Sequence, residues 1–443
     1  MSTDLTASPP TSDELHRYAE ALLAHLAADG SAPPTPPEFG DISGYWLPPA
    51  VLALVAILSG DDPMEHLSLA AGRDQQKTAL FLCLALAVAG HGDRIHASWL
   101  GTAFGDLSLE QPVAHGQRAL WLAAARGAFG PAGKIFVLRK LDAPAVPAHA
   151  DPREWVQALA PGEPSVVVPA SLVDFPEMAE IPELARPAQA AARMTRLRAR
   201  CAEITSARQA DQESSAPLTN QSATPAATWA EDEPIAVLRT QIGLGGPEGP
   251  RGSLTAHLLD DLRPGADPHL AAIALHVAAP ILRAYADELE ADTRLMPPGT
   301  VDVALLGHRI VLHPEGPDTE SLAAAEHQIA ATGAKARRMP VVAGLLLLVG
   351  VVAVVCAFLV TGWLAVLGVA GLGLSGWLLW QRRRALEADN RYITAQVSEL
   401  RELADGAVWA LHAYAREAEA RATQAAEDSA DLNRLIRRGP RAA

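Results

Sequence analysis

MPVVAGLLLLVGVVAVVCAFLVTGWLAVLGVAGLGLSGWLLWQ, Met339 to Gln381, contains no Asp, Glu, Lys or Arg. One membrane span needs about 20 apolar residues to cross about 30 Å of hydrocarbon. These 43 residues are about twice that length. The run therefore predicts two antiparallel spans, about 340–360 and 364–380. Three features place the turn at Thr361-Gly362. This pair is a polar, flexible break between two Leu/Val/Ala/Gly runs. Basic residues flank both ends, Lys335, Arg337 and Arg338 before and Arg382, Arg383 and Arg384 after. Such clusters prefer the cytoplasm, and only a hairpin puts both there. Trp363 at the turn and Trp377 and Trp380 at the far end sit where interfacial aromatics anchor.

The second span is rich in small residues. Gly368, Gly371 and Ser375 allow close helix–helix packing, either on the first span or on a sister subunit. The hairpin carries no charge, which excludes a proton relay or ion pathway built on intramembrane charges.

After Trp380 the pattern stays helical. Ile393, Val397, Leu400, Leu403 and Leu411, with Ala407 and Tyr414, form one apolar stripe, expected as a self-association, coiled-coil-like surface. A stripe of this kind must be covered by something. The helix over 319–338, a sister subunit and the cytoplasmic part are the candidates.

Upstream, two further apolar runs are too short to span. Ile42 to Gly60 contains Pro48-Pro49 and has its dense part only from Val51 to Leu58. Ala79 to Gly90 is apolar on all sides. Both read as core helices of a soluble domain. Helices are expected over 49–59, 76–90, 93–103, 110–127 and 131–141. SVVVPA is a strand candidate, and Arg193, Arg196, Arg198 and Arg200 lie on a helix over 188–207. This run offers a grip for an acidic partner, or simply a solvated face. VDVALLGHRIVLHP reads as a strand pair with a two-residue turn at Gly307-His308.

The expected fold class is mainly α. It comprises a helical N-terminal cytoplasmic domain, a small α/β-like second domain, a two-helix transmembrane hairpin and a long C-terminal amphipathic helix. The segments are 1–39, a leader with one amphipathic helix; 40–145, the helical domain; 146–208, Pro-rich plus the Arg-bearing helix; 209–233, a disordered linker low in apolar residues. They continue with 234–318, the second domain; 319–339, a pre-membrane helix; 340–380, the hairpin; and 381–443, the C-terminal helix.

The net charge of −15 excludes a broad phosphate-neutralising surface and so argues against nucleic acid. From Arg382 onward 11 Arg meet 10 Asp and Glu, so the acidity lies upstream. Four Lys against 32 Arg, with much Ala, Gly and Pro, suggest GC-rich bacterial coding. The start MSTDLTASPP lacks the pattern of a secretory signal, so the first domain is expected in the cytoplasm. Cys83, Cys201 and Cys356 are too scattered for a disulfide framework or a metal site.

No catalytic motif is visible. GRDQQKT, Gly72 to Thr78, has Gln76 where a Walker loop needs Gly. GLGGPEGPRG, Gly243 to Gly252, lacks the spacing of a phosphate loop. His91 and His96, and His308 and His313, lack the spacing of paired metal ligands. No catalytic residue, cofactor or metal is expected. The leading expectation is a non-enzymatic adaptor, with the lipid bilayer, a cytoplasmic protein and a second copy of itself as partners. It would hold an assembly at the inner face of a bacterial plasma membrane, with both termini cytoplasmic. The order helix, two spans, long helix is also similar to two-span effector modules of bacterial conflict systems. That resemblance implies membrane permeabilisation instead. An enzyme without a recognisable motif is the third alternative.

Overall fold

The computed structural model describes residues 12–32, 44–144, 151–162, 167–215, 233–245, 252–335, 352 and 362–438. These are mainly helical, with one small three-stranded sheet. The helices begin with α1 (Ser12–Asp29), α2 (Leu47–Ser59), α3 (Met64–Arg73), α4 (Gln75–Val88) and α5 (Ala97–Phe104). Then come α6 (His115–Ala125), α7 (Gly130–Asp142), α8 (Pro152–Leu159), α9 (Pro176–Ala179) and α10 (Pro182–Ser215). Next are α11 (Glu233–Gln241), α12 (Leu254–Leu262) and α13 (Pro268–Thr293). The strands β1 (Val301–Leu305), β2 (His308–His313) and β3 (Gly316–Pro317) follow. The chain closes with α14 (Thr319–Lys335) and α15 (Gly362–Arg438).

Two compact units are present. The first holds residues 1–163, 193–289 and 426–443, and the second 164–192 and 290–425.

In the first unit α4 is the central helix. Every residue from Thr78 to Val88 is buried, because no polar face interrupts ALFLCLALAV. Helices α2, α3, α5, α6 and α11 pack around it. Asp74 caps α4 by accepting from the Lys77 amide at 2.9 Å. The Walker-like stretch is thus a helix–helix junction. In α2 the buried residues are Leu47 to Val51, Ala53 and Leu54, with Pro48 and Pro49 in the first turn, where a missing N–H costs nothing.

Two ion pairs tie α6 and its end to distant helices. Arg118 donates from Nη1 to Asp261 Oδ2 at 2.7 Å, and from Nη2 to Oδ1. Arg126 donates from Nε and Nη2 to Asp267 Oδ2, at 3.1 and 2.9 Å. Asp267 also accepts from the amides of His269 and Leu270, so it caps α13 as well.

In the second unit an antiparallel ladder pairs Val301 with Leu312 through Leu305 with His308. The alternation of VDVAL points Val301, Val303 and Leu305 to one face, where Ile310 and Leu312 join them. The hairpin turn is Leu306-Gly307, one residue earlier than the expected Gly307-His308. Both residues have positive φ, +50° and +80°, so Gly occupies the second turn position rather than the first.

Two further expectations need correction. Val167–Pro169 of the strand candidate has no regular structure, and Ala170–Leu172 is a short 3₁₀ turn. Pro169 has no N–H to give a ladder. Helix α10 runs on to Ser215, into the segment expected as a disordered linker, since Ala, Gln, Asp and Glu there carry no helix breaker. Residues 216–232 lie outside the described residues.

Candidate membrane segment and its supports

Helix α15 runs unbroken for 77 residues, about 115 Å at 1.5 Å per residue. It starts at Gly362, beside the expected turn, and so joins the second apolar run to the C-terminal helix without a break. Trp363, Gly368, Gly371, Ser375, Trp377 and Trp380 all lie on this one helix, followed at once by Arg382, Arg383 and Arg384. Gly368, Gly371 and Ser375 are spaced i, i+3, i+7 and share a helix face. Lys335 closes α14; Arg337, Arg338, Cys356, Thr361 and most of the expected first span lie outside the described residues.

Trp377 is 53% exposed and Trp380 51%. The Arg384 guanidinium lies 3.8 Å from the centre of the Trp380 ring. The guanidinium thus stacks on the indole as a cation–π pair. Along α15 from Gln381 to Glu399 no residue is buried, and burial begins at Leu400.

Beyond that point α15 enters the core of the second unit. Leu400, Ala404, Ala407, Val408 and Tyr414 pack with the sheet residues Val303 and Ile310 and with Ala325 and Ile329 of α14. Ile393, Val397, Leu403 and Leu411, partly buried, lie against the same cluster. The stripe offered for self-association is thus covered within its own chain, by the first and third of the three candidates together. The Tyr414 hydroxyl donates to the Leu184 carbonyl at 2.8 Å. Arg401 donates from Nε and Nη2 to the two oxygens of Glu326 on α14, at 2.6 and 2.9 Å. This bond and the charge of Arg401 hold the Glu326 carboxyl below its usual range. Glu326 and Arg401 carry no sequence signature, being ordinary surface charges until the fold brings them together.

Among the described residues one helix, α13, is long and apolar enough to cross a membrane. Of its apolar window 61% is buried by protein, as in a core helix of a soluble domain.

The remaining candidates are engaged locally. Arg196 donates to the carbonyls of Pro161 and Gly162, Arg198 pairs with Asp428 at 3.1 Å, and Arg200 pairs with Glu203 at 2.7 Å. The run is thus largely spent inside the first unit. His308 Nδ1 faces Gln328 Oε1 at 3.2 Å. Among the described residues no group of three His, Cys, Asp or Glu gathers as for a metal. Burial pushes the Cys83 and Cys201 thiols up to about 12, so neither is a nucleophile at neutral pH.

No protein-family model, curated protein or solved structure matches this chain.

Proposed function

We propose that the protein is a non-enzymatic membrane-anchored adaptor of a bacterial plasma membrane. The segment 340–380 forms a two-span hairpin, and the helical units on both sides of it stay in the cytoplasm. There they hold a protein partner at the inner face. The observation that carries this reading is the Arg401–Glu326 pair together with the core shared by α14 and α15. These helices flank the charge-free run. If they pack on each other, the run must return to the side it left, which two antiparallel spans do and one span does not. The exposed Trp377 and Trp380 then meet lipid headgroups instead of water, and Arg382, Arg383 and Arg384 mark the cytoplasmic boundary.

Adaptor rather than transporter follows from the absence of charge in the hairpin sequence. A protease tag after Ala443 tests the topology. It should be digested in inverted vesicles and protected in sealed cells. Digestion from outside the cell would overturn the hairpin. Affinity capture of the solubilised chain should recover a soluble partner; recovery of lipid and detergent alone would overturn the adaptor.

A further inference from the structure

Helices α3, α4 and α5 of the first unit enclose a partly open cavity of about 180 Å³. Leu67 and Ala71 of α3, Ala79 and Leu82 of α4, and Trp99 of α5 make most of its wall apolar. Thr78, 1% exposed, also lines it. The Thr78 Oγ1 has no hydrogen-bond partner among the described residues. The other two hydroxyls on the wall are satisfied: Ser68 donates to the Glu65 carbonyl at 2.9 Å, and Thr102 to the Ser98 carbonyl at 3.0 Å. A buried hydroxyl left unpaired is costly, and natural proteins rarely keep one without use. Gln75 also lines the cavity, and an apolar wall with a few polar groups is the usual make-up of a small-molecule site.

We propose that this cavity binds a small apolar molecule, of about one six-membered ring, that carries a single oxygen paired with the Thr78 hydroxyl. The size follows from the volume, since a dry apolar cavity of about 150 Å³ accommodates benzene. The oxygen follows from Thr78, which can donate to it or accept from it. The cavity contains no charged wall residue, so a charged ligand would lose its hydration without compensation. This site is independent of the membrane reading. Its residues all belong to the first unit.

Fluorine NMR on the full-length chain in detergent tests the site, with 4-fluorophenol and fluorobenzene as probes. Variants are compared in the same detergent, so partitioning of each probe into micelles is common to all. Wild type should bind 4-fluorophenol saturably and about three- to tenfold more tightly than fluorobenzene, the range expected for one well-made hydrogen bond. Thr78→Val keeps the shape and removes the hydroxyl, and should reduce 4-fluorophenol to the level of fluorobenzene. Ala71→Phe, which fills the cavity from α3, should abolish both. Where Ala71→Phe does not fold by circular dichroism, Leu67→Trp serves the same purpose. Failure of 4-fluorophenol to bind wild type, binding that survives the filling variant, or equal affinity in Thr78→Val would each overturn the proposal.

Discussion

Arg401 on α15 grips Glu326 on α14 with two hydrogen bonds, 75 residues apart in the chain and on opposite sides of the charge-free run. On the proposed membrane reading, the residues between them cross the bilayer and return. Cysteines at both positions should therefore be joined by a bismaleimide within one chain in native membranes. The double variant Glu326→Cys, Arg401→Cys is made with Cys356→Ala, so that no reactive thiol remains in the apolar run. After cleavage between the two sites the fragments should stay linked on a denaturing gel. Fragments that separate would remove the contact, and with it the argument for two spans.

Arg118 and Asp261 form a forked pair that is almost wholly buried, at 9% and 5% side-chain exposure, with the guanidinium 4.5 Å from the Trp121 ring centre. Removing one partner leaves a buried charge alone. Arg118→Ala should cost about 3–5 kcal/mol. Arg118→Met with Asp261→Leu should cost much less, because no charge is stranded. Urea unfolding followed by tryptophan fluorescence measures both. Equal losses in the two variants would mean that the pair matters through packing alone.

Asp267 gives a pH signature. Burial acts to raise its carboxyl pKa, but the hydrogen bonds and charge of Arg126 and the amides of His269 and Leu270 outweigh it, so the folded value lies below the usual one. A lowered folded pKa means that the unfolded state takes up the proton first as pH falls. The stability from this residue is thus complete above the ordinary aspartate value and is lost as pH drops through the folded value. Asp267→Asn keeps a cap and removes the ion pair. Its deficit against wild type should be clear at pH 7 and should shrink below about pH 3.9, the ordinary aspartate value. A deficit constant across that range would contradict the assignment.

Local pattern is enough to expose α4. An all-apolar stretch such as Ala79–Val88 can only be central in a helical domain. The apolar stripe through Leu400 and Tyr414 is legible for the same reason, since 3.6-residue periodicity marks a face. What covers that face is not legible. The strands at Val303 and Ile310 and the helix at Ala325 lie 75 to 111 residues away, and periodicity holds no record of a partner. The turn at Leu306-Gly307 is misplaced by sequence because sequence favours Gly first, whereas the ladder register puts a leucine into positive φ. Thr78 reads as the end of a failed phosphate motif, and only the packing of three helices makes its hydroxyl conspicuous.

Cys83 and Cys201 should resist thiol reagents in the folded chain. Both are buried, and desolvation holds them almost entirely protonated at neutral pH. Maleimide labelling mapped by mass spectrometry should find them unmodified at pH 7.5 and fully modified in denaturant. Rapid labelling of either in the native protein would show that its helix opens.

Leu372 lies at the middle of the expected second span. An arginine at such a position costs about 2.5–3.5 kcal/mol of insertion free energy. Leu372→Arg should weaken retention in the membrane pellet after alkaline carbonate extraction, while Leu386→Arg, beyond the Arg cluster, should not. Equal retention of the two variants would mean that Leu372 does not face hydrocarbon.

The unbroken course of α15 makes rotational phase a property of this protein. Each residue of a helix advances the chain by about 100° and 1.5 Å. Between Trp380 and Leu400 no break can absorb a mismatch. One alanine inserted there would turn Trp377 and Trp380 by about 100° against the residues from Leu400 onward, while seven would restore them to within about 20°. On the proposed membrane reading, the segment between Trp380 and Leu400 is a shaft keyed at both ends, and insertions in it should be tolerated by their angle rather than by their length.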